Sequence, residues 1–169
     1  MNAAELSIMQ GRLLEGMRQQ ARRGDLLHHP PRGDVRGPDG DSQLAPDEQA
    51  QRVVRLIFDV FEQQGSLHGL LRSLVAHDMR VPIRPHAGLN RGHLEWRRPT
   101  RMTLHNLRHH PISAGAYRWG HRQRDPRQQQ PGRRSPGRTI NAPDACDVLI
   151  PERFAASMSW ERFAAIQPR

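Results

Sequence analysis

Val54–Gly65 reads VRLIFDVFEQQG and runs directly into Ser66–Pro82, SLHGLLRSLVAHDMRVP. In the first segment Val53, Leu56, Ile57, Val60 and Phe61 recur at three- and four-residue spacing, which predicts an amphipathic helix from about Asp47 to Gln64. Pro46 suits a first-turn position, and Asp47 and Glu48 oppose the positive end of the helix dipole. Gly65 ends this helix and Ser66 can cap the next, which is expected over Leu67–His77 with Leu67, Leu70, Leu71, Leu74 and Val75 on one side. The two form a helical hairpin that supplies most of the core.

Working outward, residues 3–23 predict one long amphipathic helix stopped by Gly24. Its stripe of Leu6, Met9, Leu13 and Met17 is narrow, with Arg12, Arg18, Arg22 and Arg23 outside it. Such a helix is marginal alone and is expected to pack on a partner, such as a second copy of the chain. Residues 25–45 break into turns around Pro30-Pro31 and Pro38-Asp39-Gly40. Beyond the hairpin, Val81–Ile83 and Leu94–Trp96 are strand candidates. Thr100 can cap a helix over Arg101–His109 that Pro111 closes. Ala114–Trp119 has the aromatic, extended look of a strand. Residues 120–138 are rich in Arg, Pro and Gly around three consecutive Gln, and read as a basic mobile loop. Val148–Ile150 is apolar again, and Ser159 can cap a last helix bearing Trp160, Phe163 and Ile166. With Phe58, Phe61 and Trp96 also assigned to the core, the expected fold is α+β. It combines a helical hairpin core, a small β-sheet and a long protruding N-terminal helix.

The charge is unevenly placed. All 26 basic residues are Arg, and the formal net charge is +9. A GC-rich codon preference can account for Arg over Lys, but not for where the arginines sit. Residues 91–138 hold 12 Arg against Glu95 and Asp125, while 1–90 is neutral and 139–169 is slightly acidic. A cationic excess confined to one block is the footprint of a polyanion site. Cys146 is the only cysteine, which excludes an internal disulfide and a Cys-based zinc site. No apolar run approaches the ~20 residues of a membrane span, and the charged first residues do not resemble a signal peptide. The chain is therefore expected to be soluble and cytoplasmic, without a membrane partner.

Several segments, in order, resemble the recombinase domain of large serine recombinases. They are the hairpin quoted above, ARRG (21–24), GPDGDSQLAPDEQAQ (37–51), Leu94-Glu95-Trp96, HHPISAGAYRWG (109–120), VLIPERF (148–154) and SMSWERFAAIQ (157–167). The resemblance covers about Ala4 to Gln167. It implies a linker helix over 1–24 and a DNA-binding recombinase domain over 25–169. In that family a catalytic serine domain precedes the helix, and a zinc domain follows. The resemblance implies that this chain carries neither, so no catalytic residue, metal ligand or cofactor is expected, and Ser7 and Ser42 match no catalytic motif. Ala45 stands where the family often has an Asp cap, and His109 where it has an Asn ahead of the proline.

The candidate DNA contacts are arginines. Arg97, Arg98, Arg101 and Arg108, on and just before the fourth helix, are placed to read or clamp the major groove, where Arg offers bidentate bonds to guanine. A solvated helix face is the alternative. The amides at that helix's N-terminus add donors for a phosphate. Arg118, between the core aromatics Tyr117 and Trp119, is expected on a phosphate. Arg18, Arg22 and Arg23 end the first helix. The resemblance places them near the minor groove, although cations at a helix C-terminus are favourable for electrostatic reasons alone. His105 and His109 have the i,i+4 spacing of half a zinc site, with no Glu between them and no third ligand nearby, so a structural or surface role is expected. The partner expected is double-stranded DNA. Pairing of the first helix with a second copy or an intact recombinase is a separate, non-enzymatic possibility, as is a decayed gene remnant. RNA binding lacks a stacking aromatic motif.

Overall fold

Asp47 closes the first turn of the central helix, its Oδ1 accepting from Gln49 N at 2.8 Å and Ala50 N at 3.2 Å. This is a computed structural model that describes residues 3–26, 34–85, 88–124, 138–141 and 145–167. Its helices are α1 (Ala3–Arg23), α2 (Glu48–Gln64), α3 (Leu67–Ala76), α4 (Arg101–Arg108) and α5 (Trp160–Ile166), with a 3-10 turn at Pro111–Ala114. The strands are β1 (Asp34–Arg36), β2 (Ser42–Leu44), β3 (Val81–Ile83), β4 (Glu95–Arg97), β5 (Tyr117–Trp119), β6 (Arg122–Arg124), β7 (Arg138–Ile140) and β8 (Val148–Ile150). The fold is α+β, as expected.

Two details differ from expectation. Pro46 lies just outside α2, ahead of its cap, and Ala45 is no cap: it is fully buried, and its carbonyl accepts from Gln51 Nε2 at 2.6 Å. The small sheet is four separate antiparallel pairs, β1–β2, β3–β4, β5–β8 and β6–β7. The pairing of Tyr117 with Ile150 and of Arg122 with Ile140 spans intervening sequence, so no local turn signal announces it.

The described chain divides into two units, residues 1–27 with 117–153, and residues 28–116 with 154–169. The second unit holds the main core: Val54, Ile57, Phe58 and Phe61 of α2, Leu70 and Leu74 of α3, Leu104 and Leu107 of α4, and Phe163 and Ile166 of α5. Hydroxyl caps start three of these helices, at Ser66, Thr100 and Ser159, each side chain accepting from the amide three residues on. On the surface Arg162 of α5 reaches α2, donating from Nε to Glu62 Oε1 at 2.6 Å and from Nη2 to Asp59 Oδ1 at 2.5 Å.

In the first unit, α1 makes an ion pair from Arg18 to Asp147 at 3.9 Å. Ile8, Met9, Leu13, Leu14 and Met17 are exposed. Tyr117 is fully buried, and Trp119 is half-buried. The stretch expected as a basic loop is a ribbon at its ends, β6 paired with β7, and residues 125–137 lie outside the described residues. No described helix is long and apolar enough to cross a membrane.

Candidate nucleic-acid interface

The interface candidate begins on β4, which pairs antiparallel with β3 so that Val81 faces Arg97 and Ile83 faces Glu95. Pro99 is buried and pins the chain between strand and helix. Thr100 then opens α4, its Oγ1 accepting from Thr103 N at 3.2 Å and lying 2.8 Å from Thr103 Oγ1.

The sequence of α4 divides it cleanly. Thr103, Leu104, Leu107 and Arg108 are buried, and Arg101, Met102, His105 and Asn106 face outward, Met102 at 67% exposure. No acid stands in the first turn, so the positive end of the helix is uncompensated there. Arg98 and Arg101 are exposed and make no ion pair among the described residues. Arg97 is exposed but paired, its Nε donating to Glu95 Oε2 at 2.7 Å. Hydrogen bonds from Asn90 and then Arg97 hold the Glu95 carboxyl below its usual range, so it is ionised near neutrality.

Arg108 belongs elsewhere. It is only 9% exposed, donates from Nη1 to the carbonyl of Ile166 at 3.2 Å, and lies 5.2 Å from the centre of the Phe61 ring. Burial lowers its pKa. Arg101, seven residues earlier, is exposed. Helical phase is not the reason, since positions seven apart lie within about 20° of each other; Arg108 is buried because Ile166 and Phe61 pack over the last turn of α4.

His105 and His109 have ring centres 4.4 Å apart. The two ring nitrogens of His109 are engaged, Nε2 at 2.6 Å from Arg108 Nη2 and Nδ1 at 2.7 Å from Gln167 Oε1. Gln167 closes this polar knot by donating from Nε2 to the Arg108 carbonyl at 3.0 Å. Its geometry suits joining helix ends.

The remaining candidates lie in the other unit. Arg18 sits 3.8 Å from Glu15 as well as near Asp147, and Arg23 donates to Asp25 at 2.8 Å. Arg22 is exposed without an ion pair among the described residues. Arg118 is half-buried, and desolvation lowers its pKa. Ser42 is tied to Asp34, with Oγ 3.3 Å from Oδ2. The structure therefore gathers Arg97, Arg98 and Arg101 on one segment, beside the outward Met102 and Asn106, which sequence reasoning did not single out, and His105, for which a structural or surface role was expected. Their signal was the complement of the Leu104–Leu107 stripe.

The Recombinase family model matches residues 48–169. The uncharacterized protein y4bA/y4pH of Sinorhizobium fredii (strain NBRC 101917 / NGR234) is 33% identical over 163 residues, which is 96% of this chain and 23% of that protein. A solved structure described as the crystal structure of a LSR–DNA complex aligns with a TM-score of 0.54 at 15% identity, over 94% of this chain and 40% of that one. This chain belongs to the Recombinase family, a domain family of the serine recombinases. It spans less than half the length of either of those two proteins.

Proposed function

We propose that this chain binds duplex DNA as the site-reading portion of a large serine recombinase, with α4 entering the major groove. The observation that carries this reading is the outward face of α4 and its approach. Arg97, Arg98 and Arg101 precede Met102, His105 and Asn106 within a segment whose net charge is +10. Arg can take guanine O6 and N7, Asn can take adenine, and an apolar tip can meet a thymine methyl. The uncompensated N-terminus of α4 adds main-chain donors for a phosphate. Arg22 and Arg122, both exposed, serve phosphates, which position the protein without specifying sequence. Arg108 holds α4 to α5 from behind. In this reading the protein works on the DNA of the cell's nucleoid, and strand cleavage is the task of a catalytic domain that the described fold does not include.

The test is competition. Labelled random duplex bound to the purified chain should be displaced by unlabelled duplex DNA far better than by double-stranded RNA, whose deep, narrow major groove excludes a helix. Equal displacement by the two would count against α4 as a groove reader.

One further observation supports a second role. Ile8, Met9, Leu13, Leu14 and Met17 are exposed along α1. We infer that this stripe pairs with α1 of a second copy or with an intact recombinase. A sedimentation profile that stays monomeric at high concentration, alone and with a full-length relative, would remove this reading.

A further inference from the structure

Glu95 and Arg97 stand two apart on β4 and therefore on one face of the strand, with Trp96 on the other. Arg97 Nε donates to Glu95 Oε2 at 2.7 Å, and Nη2 lies 2.5 Å from the same oxygen. The other carboxylate oxygen is also held, Oε1 accepting from Asn90 Nδ2 at 2.9 Å. Asn90 sits in a loop closed by its own main chain: Gly92 N donates to Pro85 O at 2.9 Å and His93 N to Asn90 O at 3.1 Å. Arg84 Nη1 braces the same loop through Gly92 O at 3.0 Å. The carboxylate side chain is 22% exposed and the guanidinium 55%, so the anchored end is the inner one.

An acid here is unexpected on electrostatic grounds. Residues 91–138 carry 12 Arg, and Glu95 weakens their pull on any polyanion. Its position gives it another use. A guanidinium offers five N–H donors in a fixed fork. Glu95 occupies the Nε–Nη2 side and leaves the Nη1 end for a ligand. Guanine presents O6 and N7, neutral acceptors spaced for two parallel bonds. A phosphate at the same place brings a full negative charge close to the carboxylate. We propose that Glu95 is a positioning and specificity-determining residue that aims Arg97 at a guanine edge and disfavours its capture by phosphate. This rests on the DNA-facing reading of β4 and α4.

The experiment starts with selection of an enriched duplex from a randomised pool by the full chain. Anisotropy then compares the enriched and random duplexes across salt for wild type, Glu95→Gln, Arg97→Gln and the double variant. Glu95→Gln should bind random duplex several-fold more tightly, with a salt slope steeper by up to about 0.9 as one more phosphate is neutralised. Its preference for the enriched duplex should fall roughly tenfold, the scale of one lost guanine contact. Arg97→Gln should lose the same preference, and the double variant should lose no more than Arg97→Gln alone. A role confined to stability moves the melting temperature and leaves the preference intact. A wild type that selects DNA beside a Glu95→Gln that retains the full preference overturns this inference alone. A wild type that binds no duplex at low salt overturns the DNA reading and this inference with it. Should Glu95→Gln unpair β3 from β4, Asn90→Ala carries the same test. It frees Oε1 from the exposed loop and should lower the preference in the same direction; an unchanged preference overturns the proposal.

Discussion

Arg108, the last residue of α4, donates from Nη1 to the carbonyl of Ile166, the last residue of α5, across 3.2 Å. A charged side chain bonded inside the fold is a different object from one offered to DNA. Arg108→Ala removes this bond and the stacking on Phe61 and opens a cavity. It should cost about 2–4 kcal/mol, read from the denaturant midpoint. The salt slope of DNA binding should not change. A variant of native stability with weakened DNA binding would return Arg108 to the interface.

Asp34 makes the fold sensitive to pH. It is 6% exposed, and burial pushes its carboxyl up to about 7, against the opposing hydrogen bond from Ser42. The unfolded chain releases this proton near 3.8. Between those values the folded state holds more protons than the unfolded one, so stability falls as pH rises through the window and levels off above it. Relative to Asp34→Asn, wild type should lose on the order of 2–4 kcal/mol between about pH 4 and about pH 8. Parallel stability profiles for the two proteins would contradict this.

Two of the glycines with left-handed backbones have different surroundings. At Gly115, φ is +72° and a Cβ would lie 2.6 Å from the Phe154 carbonyl oxygen, a main-chain atom that cannot swing aside. At Gly65, φ is +64° and the space is open. Gly65→Ala should cost only the left-handed penalty, about 1–2 kcal/mol. Gly115→Ala should cost clearly more, since it must also displace the backbone that follows β8. Thermal melts of the two variants check the order.

Much of the fold is legible in the sequence because its signals are local. The apolar spacing of Val54 to Phe61, the hydroxyl caps Ser66, Thr100 and Ser159, and the stops at Gly24 and Gly65 each act within a turn or two. Strand partnership is not local. Nothing near Tyr117 points to Ile150, or near Arg122 to Ile140, so four short pairs look like pieces of one sheet. The candidate interface is half legible. Charge singles out a candidate segment, but residue type cannot say which of its arginines is buried. Arg108 is close in helical phase to the exposed Arg101, and it is Ile166 and Phe61, distant in sequence, that bury it. The pairing of Arg97 with Glu95 follows from i,i+2 geometry on a strand, which is visible only once β4 is assigned.

Contact of the α4 segment with DNA is tested most directly by the salt dependence of duplex binding in wild type, Arg98→Ala and Arg101→Ala. Both side chains are exposed, so folding should change by less than about 0.5 kcal/mol. Wild-type binding should weaken steeply with salt, with a log–log slope shallower by about 0.9 for each substituted arginine that meets a phosphate. An arginine that meets a base should instead lower the preference for the selected duplex. A flat salt response in the wild type, or variants that match it in both slope and preference, would contradict DNA contact by α4.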